Sequence, residues 1–208
     1  MIRLLIAALA SALLLAGCGS TDQTGAPVTG IRVSDDDGYS GVLLDEPYAL
    51  PDVPLTDTSG KPFDLVAQTR RTLVFFGYTK CPDICQVVMS TIASGMAKLT
   101  PEERAKLQVV FVTTDPPRDT RAVLRTYLDR FDPSYIGLTG SIDQIDELGK
   151  SMSIYVKKGA KLPGGGYEVD HTAAVIGVHS GSGDIVWTAA TSPAQIAGDL
   201  TKILKADS

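Results

Sequence analysis

The stretch Thr72-Leu-Val-Phe-Phe-Gly-Tyr-Thr-Lys-Cys81-Pro-Asp-Ile-Cys85 constrains this chain more than any other. Leu73 to Phe76 is a short apolar run, β-branched and aromatic enough for a buried strand. Gly77 breaks it. Pro82 then stands where a helix begins, because proline is tolerated at the first helical position. On that reading Cys81 is the N-cap and Cys85 lies one turn later. Residues four apart share a helix face, with about 5–6 Å between their Cβ atoms. A disulfide accepts Cα separations of about 4.4–6.8 Å. Two sulfurs therefore converge at a strand-to-helix junction, able to hold a soft metal when reduced or to form a bridge when oxidised.

The N-terminus is read separately from the fold. Arg3 precedes thirteen uncharged residues, Leu4 to Ala16. A bilayer span needs about 20 apolar residues, so a basic residue followed by this shorter core predicts an export signal over residues 1–17. Its end, Leu15-Ala16-Gly17-Cys18, resembles the bacterial lipobox. Cleavage before Cys18 and acylation of its thiol would tether residues 18–208 to the extracytoplasmic face of a membrane. Residues 18–38, rich in Ser, Thr, Gly and Asp, read as a flexible tether, and residues 39–208 as one domain. Asp35-Asp36-Asp37 reads as solvated tether. With Cys18 taken by lipid, Cys81 and Cys85 remain in a compartment that permits disulfides. A bridge across so short a loop gains little chain entropy, so a chemical role is the better account of the pair. The formal charge of −5 and pI of 5.0 come with no basic stripe, which argues against a nucleic-acid partner.

In chain order, Tyr39 to Leu50 predicts an early strand, and Val53 to Phe63 a hairpin turning near Asp57 to Gly60. A helix is predicted from Pro82 to Leu99, with Val88, Ile92, Met96 and Leu99 on its buried face. Met89 and Met96 read as core residues. Thr100-Pro-Glu-Glu103 is a capping box before a short helix, and Leu107 to Thr113 a second buried strand. Strand, crossover and strand make a right-handed βαβ unit. Asp119-Thr120 caps the next helix, with Val123, Leu124, Tyr127, Leu128 and Phe131 as its apolar stripe. Ile136 to Leu138 is a short strand. Ser141 and Ser192 open capping boxes. Ser153 to Val156 reads as a strand, Gly159 to Gly166 as a mobile loop, and Ala173 to Trp187 as a hairpin with an irregular turn at His179 to Gly183. The fold class is α/β: a central mixed sheet with helices on both faces, plus an N-terminal hairpin extension. Functional residues in such sheets gather beyond the carboxyl ends of parallel strands, where Cys81, Cys85 and Asp115 all fall.

A helix N-terminus and Lys80 favour a thiolate here, while Asp83 opposes one. Two thiolates suit Cu(I), and an added imidazole suits copper or zinc. The two histidines, His171 and His179, would lie roughly 20 Å or more apart on an extended strand, so one mononuclear centre cannot use both. His179 sits in a turn signal and reads as a surface residue. His171 is either a satisfied structural histidine or a third ligand. Asp115, ending its strand in Thr-Thr-Asp-Pro-Pro-Arg, is either a turn former paired with Arg118 or an acceptor near the sulfurs.

Phe75-Phe-Gly-Tyr-Thr-Lys-Cys-Pro-Asp-Ile-Cys85, Asp115-Pro-Pro-Arg-Asp-Thr120 and Val169-Asp-His-Thr172 together resemble the Sco/SenC family over about Tyr39 to Leu204. The resemblance implies a thioredoxin-like fold and a copper chaperone of cytochrome c oxidase assembly. It implies copper, as Cu(I) and in some states Cu(II), on Cys81, Cys85 and His171, with Asp115 close by. It further implies the dinuclear copper site of oxidase subunit II, or another cuproprotein, as acceptor. The alternative it carries is a thiol–disulfide oxidoreductase using Cys81 and Cys85 to reduce a cuproprotein's cysteines. Lys80 stands where many members have histidine, and Gln86 where proline often follows the second cysteine. CxxxC in place of CxxC, and His171-Thr172 where a cis-proline is usual, favour metal binding over generic dithiol exchange.

Overall fold

The computed structural model describes residues 38–161 and 167–207; Cys18 and the rest of the expected export signal and tether up to residue 37 lie outside the described residues. The elements are β1 (Val42–Ala49), β2 (Leu55–Asp57), β3 (Pro62–Phe63), β4 (Arg71–Gly77), α1 (Ile84–Met96), α2 (Pro101–Ala105), β5 (Leu107–Thr113), α3 (Arg121–Leu128), β6 (Ile136–Thr139), α4 (Ile142–Ser151), β7 (Val156–Lys161), β8 (Tyr167–His171), β9 (Ala174–His179), β10 (Ser182–Thr188) and α5 (Pro193–Ala206). Eight strands form one mixed sheet in the order β1-β10-β9-β4-β5-β6-β2-β3. β4, β5 and β6 are parallel neighbours, and the other pairings are antiparallel. The expected early hairpin, β2–β3, extends one edge of the sheet through β6. β7 and β8 form a separate two-stranded ribbon.

Strand alternation divides the core. Leu73, Phe75, Val109 and Phe111 face one buried cluster together with α1, α3 and α5. Val74, Phe76, Val110 and Val112 face the other, packed with Leu50, Leu55 and α4. β4 and β5, buried along their whole length, are the near-continuous apolar runs expected of central parallel strands. The capping boxes at Thr100, Ser141 and Ser192 all form. Met89 is fully buried, and Met96 packs against the first cluster.

The structure corrects several expectations. The N-cap of α1 is Asp83, so Cys81 lies two residues before it, in a loop. Aspartate is the stronger cap, and its carboxylate accepts the Ile84 N–H directly. Val123 is exposed; the buried stripe of α3 is Leu124, Tyr127 and Leu128. Ser153 has φ 55°, so the strand expected from residue 153 starts at Val156 and runs through Gly159 into the stretch expected to be a loop. Residues 162–166 of that stretch lie outside the described residues. The turn between β9 and β10 is tight rather than irregular. Ser180 and Gly181 have φ of 49° and 75°, the left-handed pair of a two-residue hairpin turn.

Candidate metal centre

The carboxyl ends of β4 and β5 bring the site together. β4 ends at Gly77, where an added Cβ would lie 2.9 Å from the Cys85 Sγ and 3.0 Å from the Phe111 ring. Glycine is therefore what lets α1 set a sulfur against the end of the strand. From there the chain makes a turn in which the Cys81 N–H donates to the Tyr78 carbonyl at 3.2 Å. The Cys85 N–H then donates to the Cys81 Sγ at 3.4 Å. Both cysteines are buried thiols, 5 % and 0 % exposed. The contact with Cys81, together with burial, pushes the Cys85 thiol well up from its ordinary range. Cys85 is thus held as the thiol by its neighbour and by burial. Lys80 and Gln86 are exposed on either side of the pair.

Asp115 is 2 % exposed, and its carboxylate pairs with Arg118, as one of its two readings expected. The Arg118 guanidinium lies 5.7 Å from the centroid of the Tyr78 ring, on the cysteine loop. Asp115 also lines a cavity of about 250 Å³ with Thr114, Ile142, Val156, Lys157 and Val169. Through Val156 and Val169 that cavity touches the β7–β8 ribbon.

His171 ends β8, its backbone in register with Val156; its ring lies outside the described residues. Val169, two residues earlier, is buried in the cluster that holds Cys81 and Cys85. The ribbon thus reaches the sulfur-bearing side of the sheet. His179 is at the opposite end of the sheet, half-buried, with its Nε2 3.1 Å from the Thr69 carbonyl. Among the described residues, no group of three His, Cys, Asp or Glu is close enough to hold a metal ion. What the described residues supply is two adjacent buried sulfurs, a soft donor pair that fits Cu(I).

Sequence reasoning missed two residues beside the pair. Asp119, expected as a helix cap, is fully buried and bonded to Thr79 on the cysteine loop, while Thr120 caps α3. The Tyr127 hydroxyl is buried without a hydrogen-bond partner among the described residues, and burial, with nearby Cys85 as a second cause, pushes it well up. No local signal marks either role, because Thr79 is 40 residues from Asp119 and the cysteines are far from Tyr127 in sequence. No helix among the described residues is long and apolar enough to cross a membrane.

Residues 47–205 match the SCO1/SenC family model. Yeast (Saccharomyces cerevisiae) SCO2, a mitochondrial protein, is 35 % identical over 136 residues, covering 64 % of this chain and 44 % of its own length. The chain spans less than two thirds of the length of the curated relatives it matches first. The copper-bound structure of ScoI from Bradyrhizobium japonicum is 31 % identical with a TM-score of 0.66, covering 74 % of this chain and 98 % of that one. The fold is also shared with BsSco, described as a member of the Sco family of cytochrome c oxidase assembly proteins. That likeness is at 21 % identity and a TM-score of 0.62, covering 76 % of this chain and 95 % of that one.

Proposed function

Because the chain belongs to the SCO1/SenC family and has its thioredoxin-like fold, we propose that it is a copper metallochaperone. It is exported, anchored to the membrane through acylated Cys18, and delivers copper to the dinuclear site of cytochrome c oxidase subunit II. The observation that carries this reading is the buried thiol pair of Cys81 and Cys85, joined by a 3.4 Å N–H···S contact beyond the end of β4. His171 supplies the third donor. It ends β8, the strand whose Val169 is buried with the cysteines.

Loading is a ligand exchange. The two S–H bonds give up their protons to solvent, two S–Cu bonds form, and no electron moves. Two thiolates around Cu(I) leave one net negative charge, which the N-terminus of α1 offsets. Release reverses the exchange, with the acceptor's thiolates taking the ion. Asp115 stands near as a positioning group held by Arg118.

Anaerobic Cu(I) titration of the reduced protein tests this. One equivalent is expected for the native chain, none for Cys81→Ser, and markedly weaker binding for His171→Ala. Uptake that ignores all three residues would remove the reading. The closeness of the two sulfurs also supports thiol–disulfide exchange, in which one thiolate attacks a partner disulfide and the second closes the bridge, passing two electrons. That activity would survive His171→Ala and leave a trapped mixed disulfide in a Cys85→Ser or Cys81→Ser variant.

A further inference from the structure

We infer that Asp119 is the positioning residue of the thiol pair: its buried carboxylate holds the loop that sets Cys81 against Cys85. This deepens the copper reading and rests on it for the metal, though not for the geometry. Asp119 has no exposed surface. Its Oδ2 accepts the Thr79 backbone N–H at 2.9 Å and the Thr113 hydroxyl at 2.7 Å; its Oδ1 accepts the Thr79 hydroxyl at 2.6 Å. Thr79 lies two residues before Cys81. Asp119 therefore grips the cysteine loop twice and the end of β5 once.

Two further ties act on the same loop. The Thr114 N–H donates to the Gly77 carbonyl at 2.7 Å, and the Cys81 N–H closes its own turn on Tyr78. Both are backbone bonds. Asp119 supplies the side-chain ties, on the piece of loop that would otherwise pivot between Tyr78 and the α1 cap. It is also fastened to the neighbouring loop, since its own N–H donates to the Asp115 carbonyl at 2.9 Å. One carboxylate thus locks the loop bearing Cys81 to the loop bearing Asp115.

The grip carries a cost. A desolvated carboxylate is expensive even with hydrogen bonds, and burial pushes the Asp119 carboxyl up despite three donors. The Thr79 backbone N–H needs an acceptor at this point, and Asp119 supplies it while placing a carboxylate near two sulfurs that must ionise. The gain that offsets this expense is a fixed spacing between the sulfurs before any ligand arrives.

The test uses the metal-free protein first, so that it stands even if copper binding fails. The dithiol–disulfide equilibrium of Cys81 and Cys85 is measured in a glutathione redox buffer, where the pair loses two electrons and two protons to glutathione disulfide. Asp119→Ala is expected to shift that equilibrium by about tenfold, the effect of losing roughly one buried hydrogen bond to a charged acceptor, and to weaken Cu(I) binding by a similar factor. Asp119→Asn, which keeps an acceptor oxygen, should restore most of both. Asp199→Ala, a remote variant that lowers stability, should move neither. If Asp119→Ala does not fold, Thr79→Val, which deletes one grip on the loop, is expected to shift the equilibrium in the same direction. An unchanged equilibrium in Asp119→Ala, or in Thr79→Val where that variant decides, would reduce Asp119 to support of the fold. Native protein that takes up no Cu(I) would overturn the copper reading and leave the positioning result legible.

Discussion

Asp119 and Asp199 are the same device in two places. Each is a buried carboxylate, 0 % and 1 % exposed, and each gathers donors from segments far away in sequence. Asp119 ties the cysteine loop to the end of β5. Asp199, on the inner face of α5, accepts the Trp187 indole N–H at 2.8 Å and the backbone N–H groups of Ser40 and Gly41 at 3.0 and 2.8 Å. The first carboxylate holds a loop that carries reactive sulfur. The second fastens residues 40 and 41, just before β1, onto the last helix and β10. The difference lies in the company each keeps, thiols in one case and non-titrating amides and an indole in the other. A buried charge therefore does not by itself mark function; the chemistry of its donors' neighbours does.

Removing the Asp199 carboxylate gives the largest stability effect in this comparison. Asp199→Ala strands the Trp187 and Gly41 N–H groups in the core and should destabilise the fold by about 3 kcal/mol, the sum of roughly two unsatisfied buried donors. Denaturant melts measure this, and Cu(I) stoichiometry should stay at one. A copper affinity falling in step with stability would collapse the distinction between the two carboxylates. Trp187→Phe is the milder version. It deletes one donor and part of a fully buried ring but leaves both backbone grips, so about 2 kcal/mol is expected. If it matched Asp199→Ala, the anchoring of residues 40 and 41 would count for nothing.

The same contrast explains what the sequence made legible. Features set by local rules were readable: the three capping boxes, the apolar runs of β4 and β5, and the strand-to-helix junction carrying both cysteines. Where two local rules compete, the sequence alone does not rank them. Proline at the first helical position favoured Cys81 as cap, whereas the stronger capping side chain of Asp83 prevailed. β8 was hidden because glycines and a proline before it read as loop, and pairing with β7 overrides that weak propensity. Asp119 and Asp199 were opaque for a different reason. Thr79 is 40 residues from Asp119, and Ser40 is 159 from Asp199. Asp119 reads locally as a helix cap and Asp199 carries no local signal; only the sheet brings each its donors. For the site itself, the sulfurs were legible from spacing, but the glycine that admits Cys85 and the clamp that holds Thr79 were not.

The smallest expected effect is an alkaline one, confined to the sulfur-bearing region. In the unfolded chain Cys85 ionises near the ordinary thiol value of 9.0, whereas in the native protein the Cys81 contact and burial push its ionisation well above that. Above about pH 9 the native state therefore binds more protons than the unfolded state, so stability falls as pH rises. This is the sign of a raised acid, opposite to that of a salt-bridged carboxylate. One such group changes stability by at most about 1.4 kcal/mol per pH unit once the unfolded thiol is fully ionised. Urea melts at pH 8, 9 and 10 should show a loss of about 1 kcal/mol over the upper interval. Cys85→Ser should flatten that slope, and Trp187→Phe should leave it intact, because the donors around Asp199 do not titrate there. A slope that survived Cys85→Ser would mean that Cys85 is not held protonated by its neighbours, and the two carboxylates would then differ in position alone.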